Sequence, residues 1–106
     1  MGPWGWLLVA GGLEVAWAIG LKYTHGFSRL GWSLFTVVTM LLSFYCLSLA
    51  LKQLPLGTSY AIWTGIGVIG TAIAGMFLFN ESTHYFRLIS ILLIILGIAG
   101  LRLSQT

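Results

Sequence analysis

Glu14 is the residue whose type and position call for chemistry. Apart from it, the first 21 residues carry no ionisable side chain. A helix starting near Pro3 rises about 1.5 Å per residue, which places Glu14 about 16 Å along its axis. Low dielectric favours the neutral form of a carboxylate, so a proton and a cation compete for the same oxygens. One carboxylate that exchanges a proton for a cation is the minimum chemistry of an antiporter. The alternative is a protonated Glu that hydrogen-bonds a neighbouring helix and only holds the fold. Exchange is the better reading because no Lys or Arg lies within reach inside the apolar run: Lys22 is two turns away, near the helix end. In a dimer, two such carboxylates would face each other and titrate as a coupled pair.

The residues around Glu14 fit a cation site. Positions 10, 14, 17 and 21 share a helix face, which sets Trp17 beside Glu14 with the small Ala10 and Ala18 nearby. Thr36, Thr39 and Ser43 make a polar stripe on a second helix, and Tyr60, Trp63, Thr64 and Gly67 share a face of a third. Indole N–H and hydroxyl groups orient carboxylates, and aromatic faces attract cations. Trp and Tyr also form interfacial belts, and Ser and Thr also bond their own helix backbone. Belts suit Trp4, Trp6, Trp32 and Tyr85; Trp17 and Trp63 sit deeper.

Other motifs carry less. Gly65-Ile66-Gly67-Val68-Ile69-Gly70 spells the dinucleotide fingerprint but lies inside the uncharged stretch 53–80, without the strand and later acidic residue the motif needs. Gly65, Gly67, Gly70 and Gly75 instead allow close helix packing and a kink at Gly65 and Gly67. Gly97 and Gly100 read as packing positions at a dimer seam. Cys46 is the single cysteine, so it reads as core packing. His25 and His84 fall in separate loops, and no metal site is expected. No nucleophile, zinc or phosphate-loop motif occurs; we expect no catalytic residues, no enzyme and no cofactor. Asn80-Glu81-Ser82 matches a glycosylation acceptor, which we read as chance at a membrane boundary.

The elements that must position Glu14 follow from composition. Of 106 residues, 58% are hydrophobic and 7% charged, with mean hydropathy +1.00. Soluble domains carry about 25% charged residues, so a soluble enzyme, a disordered chain and a nucleic-acid binder are excluded. Crossing a bilayer takes roughly 20 apolar residues, and four spans emerge, near 3–22, 31–52, 57–79 and 85–103. They make an all-α membrane protein, one four-helix transmembrane domain over 1–106. No period-two alternation supports a barrel, and the N-terminus lacks the basic region of a cleaved signal. Thr24–Ser28, Gln53–Gly57 and Asn80–Thr83 break the helices, with Ser82 or Thr83 as the cap of the fourth. Four spans put both termini on one side with Lys52 and Arg102, against Lys22, Arg29 and Arg87 on the other. Orientation follows an excess of Lys and Arg, and two against three is almost none. Either one charge still fixes a single orientation, or the chain inserts both ways and pairs as an antiparallel dimer; we carry the second reading forward.

The sequence resembles the small multidrug resistance family over nearly its whole length. The resemblance rests on Gly11-Gly12-Leu13-Glu14-Val15-Ala16-Trp17-Ala18, on Lys22-Tyr23-Thr24-His25-Gly26-Phe27-Ser28-Arg29, and on the run from Pro55 to Gly67. It implies an antiparallel, dual-topology homodimer in a prokaryotic inner membrane that exchanges protons for cations through Glu14. Trp17, and Met40 where drug-exporting relatives usually carry Tyr, are similar to the guanidinium-exporting branch. On that resemblance Glu14 binds guanidinium and protons, Trp17, Ser43 and Trp63 hydrogen-bond and orient its carboxylate, Tyr60 couples the two sides of the site, and Lys22 is peripheral. Ser59 departs from the Ala expected before Tyr60. A flat cation with in-plane N–H donors suits a bidentate carboxylate. The alternatives are a broader exporter of quaternary ammonium ions and a non-transporting scaffold subunit, which Glu14→Gln would leave intact.

Overall fold

The structure, a computed structural model, describes residues 2–104. Four helices follow one another: α1 (Pro3–Tyr23), α2 (Leu30–Ala50), α3 (Leu56–Leu78) and α4 (Tyr85–Leu103). Each is long and apolar enough to cross a membrane. Their ends lie within two residues of the sequence-based spans, and α4 coincides with its span at both ends. Pro3 opens α1, where its missing N–H costs nothing and its fixed φ suits a helix. Pro55 stands just before α3 in extended conformation.

The α1–α2 connection is tight and left-handed. Thr24, fully buried, donates from Oγ1 to the Leu21 carbonyl at 2.7 Å and accepts from the Phe27 N–H at 3.2 Å. His25, Gly26 and Phe27 all take positive φ (48°, 73° and 63°). For His25 and Phe27 that costs about 1–2 kcal/mol each, which the Thr24 bonds help to offset.

The α3–α4 connection folds back over the end of α3. Asn80 takes φ 53°, a conformation its short polar side chain tolerates. The N–H groups of Phe79 and Glu81 then both reach the Gly75 carbonyl, at 3.0 and 3.2 Å. The cap of α4 is neither Ser82 nor Thr83. It is His84, whose Nδ1 accepts from the Phe86 N–H at 3.2 Å, while Ser82 Oγ accepts from the His84 N–H at 3.1 Å. Ser82 lies two residues too early for the helix and braces the turn that presents His84.

Helix α1 is the centre of the packing, with α2 and α3 against it and α4 held by α3. The core joins Leu7 and Ala10 of α1, Cys46 and Ala50 of α2, and Ile62 and Trp63 of α3. Helix α3 runs unbroken through its glycines. Gly65 serves close approach: a β-carbon there would stand 2.7 Å from Ile98 Cδ1 of α4. On α4 only Ile91 is buried, and Gly97 and Gly100 face open space within this chain.

Candidate functional site

Glu14 projects from the middle of α1 onto α3. Its carboxylate lies on the backbone of Gly67, so close that a β-carbon at that position would fall on the carboxylate oxygen. Glycine at 67 is therefore a condition for the carboxylate to lie where it does. An open cleft of about 170 Å³ adjoins it, lined by Glu14, Trp17, Ala18, Thr64, Gly67, Val68 and Thr71.

Three polar atoms of that lining are buried and lack a hydrogen-bond partner: Glu14 Oε1, Trp17 Nε1 and Thr64 Oγ1. Leaving a buried donor or acceptor unmade costs about 1–3 kcal/mol, more for a charged group. An acceptor and two groups able to donate thus converge on one small cleft without bonding each other. The hydroxyls of Thr36 and Ser59 are also buried and unpartnered, but neither lines this cleft.

Ser43 and Trp63 complete their bonds one turn lower. Ser43 Oγ donates to the Ala10 carbonyl at 2.7 Å, and Trp63 Nε1 donates to Ser43 Oγ at 3.0 Å and to the Ala10 carbonyl at 3.2 Å. In a regular α-helix that carbonyl also accepts the Glu14 N–H. Both side chains therefore hold the backbone turn that carries Glu14 rather than the carboxylate itself.

An aromatic series runs beside the site. Trp17 meets Phe44 edge-on at 6.5 Å between centroids, Phe44 meets Trp63 at 5.9 Å, and Trp63 meets Tyr60 at 5.5 Å. Tyr60 is 55% exposed, so this wall opens outward from the chain. Phe44 was missed at the sequence level, where no polar atom distinguishes it from the other apolar residues of α2; its place beside Ser43 is the available signal. Of the α2 stripe, Thr39 bonds back to the Phe35 carbonyl at 2.8 Å, and Thr36 lies against Gly20 of α1.

The remaining candidates lie elsewhere. Cys46 is free and buried in the core. His25 belongs to the α1–α2 turn, and His84 caps α4 and stacks on Phe86. Among the described residues no group of His, Cys, Asp or Glu could hold a metal ion. Lys22 has its Nζ 4.4 Å over the Phe79 ring, and Arg102 lies 4.3 Å over Trp4.

Fold and site together define a multi-pass helical membrane protein with a carboxylate on a cleft between two of its helices. Residues 2–94 match the family described as Small Multidrug Resistance protein, and the chain belongs to that family. It is 55% identical over 102 residues to a guanidinium exporter of Proteus vulgaris, covering 96% of this chain and 98% of the relative. Guanidinium exporters of Escherichia coli (strain K12) and Salmonella typhimurium are 57% and 58% identical over 101 residues, 95% of this chain and 96% of each relative.

Proposed function

We propose that this chain is a proton-coupled exporter of guanidinium and small guanidinyl compounds, acting in a cell's inner membrane as an antiparallel, dual-topology homodimer. The observation that carries this reading is the cleft at Glu14, where a carboxylate oxygen with no partner stands beside two further unpartnered polar groups. Guanidinium donates in-plane N–H pairs to a carboxylate, and its remaining N–H groups can bond the Thr64 hydroxyl. Trp17 Nε1 carries a hydrogen and no acceptor site, so it suits holding the carboxylate itself. Ser43 and Trp63 position Glu14 through the Ala10 carbonyl, and Tyr60 closes the aromatic wall. The names of the relatives point to the same substrate.

A quaternary ammonium ion is the second candidate substrate, and the chemistry ranks it lower: it has no N–H to offer an unpartnered oxygen. The homodimer draws support from α4, which buries only Ile91 within the chain, and from the near balance of Lys and Arg between the two sides.

Transport in proteoliposomes tests the proposal. A proton gradient should drive guanidinium movement, and Glu14→Gln should abolish it, because an amide neither binds the cation nor carries the proton. Protonation and cation binding exclude each other on one carboxylate. Apparent guanidinium affinity should therefore fall with falling pH, approaching tenfold per pH unit once the carboxyl is mostly protonated. Full transport by Glu14→Gln, or stronger transport of tetraalkylammonium than of guanidinium, would overturn the assignment.

A further inference from the structure

Glu81 is the only acidic side chain besides Glu14, and it lies on the same seam. A second cleft, of about 210 Å³, is lined by Ala18, Lys22, Thr71, Gly75, Phe79 and Glu81, among others. It shares Ala18 and Thr71 with the cleft at Glu14, so the two are neighbours along the α1–α3 seam. Each carboxylate rests on a bare α3 backbone: Glu14 on Gly67 and Glu81 on Gly75, where a β-carbon would meet its oxygen. Eight residues of helix separate the two glycines, about 12 Å along the axis. Thr71 stands midway. Its hydroxyl donates to the Gly67 carbonyl at 2.7 Å, which leaves its lone pairs free for a passing donor.

The position of Glu81 is a poor one for stability. Its carboxylate lies at the C-terminal end of α3, the negative end of the helix dipole. What offsets this is the Arg87 guanidinium, 2.6 Å from Glu81 Oε1 and 3.1 Å from the Ala72 carbonyl through Nη2. Arg87 Nε is buried with no partner, so the pair is incompletely bonded. It is also partly open, with side chains 29% and 39% exposed; such ion pairs are weak and exchangeable. Arg87 reaches Glu81 from the α3–α4 side, where both line a neighbouring cleft. Lys22, which lines the cleft on the α1–α3 side, is turned onto the Phe79 ring and does not form an ion pair with Glu81.

We propose that Glu81 is a second, outer binding carboxylate for guanidinium-type cations on the route to Glu14, and that the tethered guanidinium of Arg87 occupies it until a free one displaces it. The exchange is between like groups, so the carboxylate oxygen that accepts from Arg87 is available to an N–H of the incoming cation. Cations without N–H donors cannot make that replacement. The inference rests on the reading of Glu14 as the central cation site and adds a step at the entrance.

Because the chain has two glutamates, labelling glutamate with 13C at Cδ yields two side-chain carboxyl signals, assigned with Glu14→Gln and Glu81→Gln. Full-length protein in lipid nanodiscs is titrated with guanidinium chloride, and with tetramethylammonium chloride at equal ionic strength. Guanidinium should move the Glu14 signal first and the Glu81 signal at higher concentration. In Arg87→Gln, the Glu81 response should shift to several-fold lower guanidinium concentration; tetramethylammonium should leave it unmoved in both proteins. Arg87→Lys, which keeps the charge and loses the planar fork, should shift in the same direction and serves where Arg87→Gln does not fold. A Glu81 signal that stays fixed in every variant after Glu14 is saturated overturns the proposal, and so does one that responds equally to tetramethylammonium. An unmoved Glu14 signal would instead sink the central site while leaving the Glu81 result readable.

Discussion

Two levels of α1, one helical turn apart, each gather polar groups against a neighbouring helix and end in opposite states. At Ala10, Ser43 from α2 and Trp63 from α3 converge on one carbonyl and bond each other as well. At Glu14, an acid, an indole and a hydroxyl from α1 and α3 converge on one cleft and remain unbonded. Both levels contain a tryptophan and a hydroxyl residue, so those two residue types do not by themselves decide whether the bonds are made. The difference is Gly67: by admitting the carboxylate against bare backbone it leaves a cleft where the level below has contact. A completed polar network fixes geometry, whereas an open one leaves bonding capacity for something that arrives.

The sharpest way to break this contrast is to fill the glycine. Gly67→Ala should push the Glu14 carboxylate out of place at an overpacking cost of up to about 3 kcal/mol, roughly two orders of magnitude in guanidinium affinity. Gly12→Ala on α1, where a β-carbon meets nothing within 4 Å, should bind as the unmodified protein does. Isothermal titration of both proteins in detergent gives the comparison directly; equal affinities would mean that the seat on Gly67 is incidental.

Trp17→Phe probes the open level more gently. The ring and its edge contact with Phe44 survive while the N–H is lost. Binding should weaken by about 1.5 kcal/mol, the value of one hydrogen bond to a charged group, with the thermal midpoint little changed. An unchanged affinity would remove Trp17 from the site.

The smallest effect belongs to the closed level. Ser43→Ala leaves the Trp63 N–H its bond to the Ala10 carbonyl and should lower stability by about 1 kcal/mol, with transport reduced only modestly. Abolished transport with unchanged stability would move Ser43 from positioning Glu14 to contacting the cation.

The spans and the central acid were legible in the sequence because both depend on one dominant quantity, the cost of taking charge into hydrocarbon. Long charge-free runs mark the helices, and Glu14 stands out by violating one. What the sequence did not disclose are choices between partners of similar worth. Ser43 and Trp63 have the types to orient a carboxylate, yet their bonds go to a backbone oxygen one turn away, a matter of helix rotation that periodicity leaves open. The cap of α4 passes from Ser82 to His84 because Asn80 turns the chain back over α3. That same turn brings Glu81 to the α1–α3 seam. Gly65 and Gly67 announce close approach in the sequence, but not that the neighbour of one is an isoleucine and of the other a carboxylate.

The clasp at Ala10 has a mechanical consequence. It is a fulcrum set just beneath the acid, about 6 Å away along the helix, whereas Lys22 lies about 18 Å from it. If α1 tilts about that point, the far end sweeps three times as far as the carboxylate. A rocking motion wide enough to reshape the far end of the helix would thus barely stir the carboxylate, and any cargo it held would be kept in hand while the doorway changed around it.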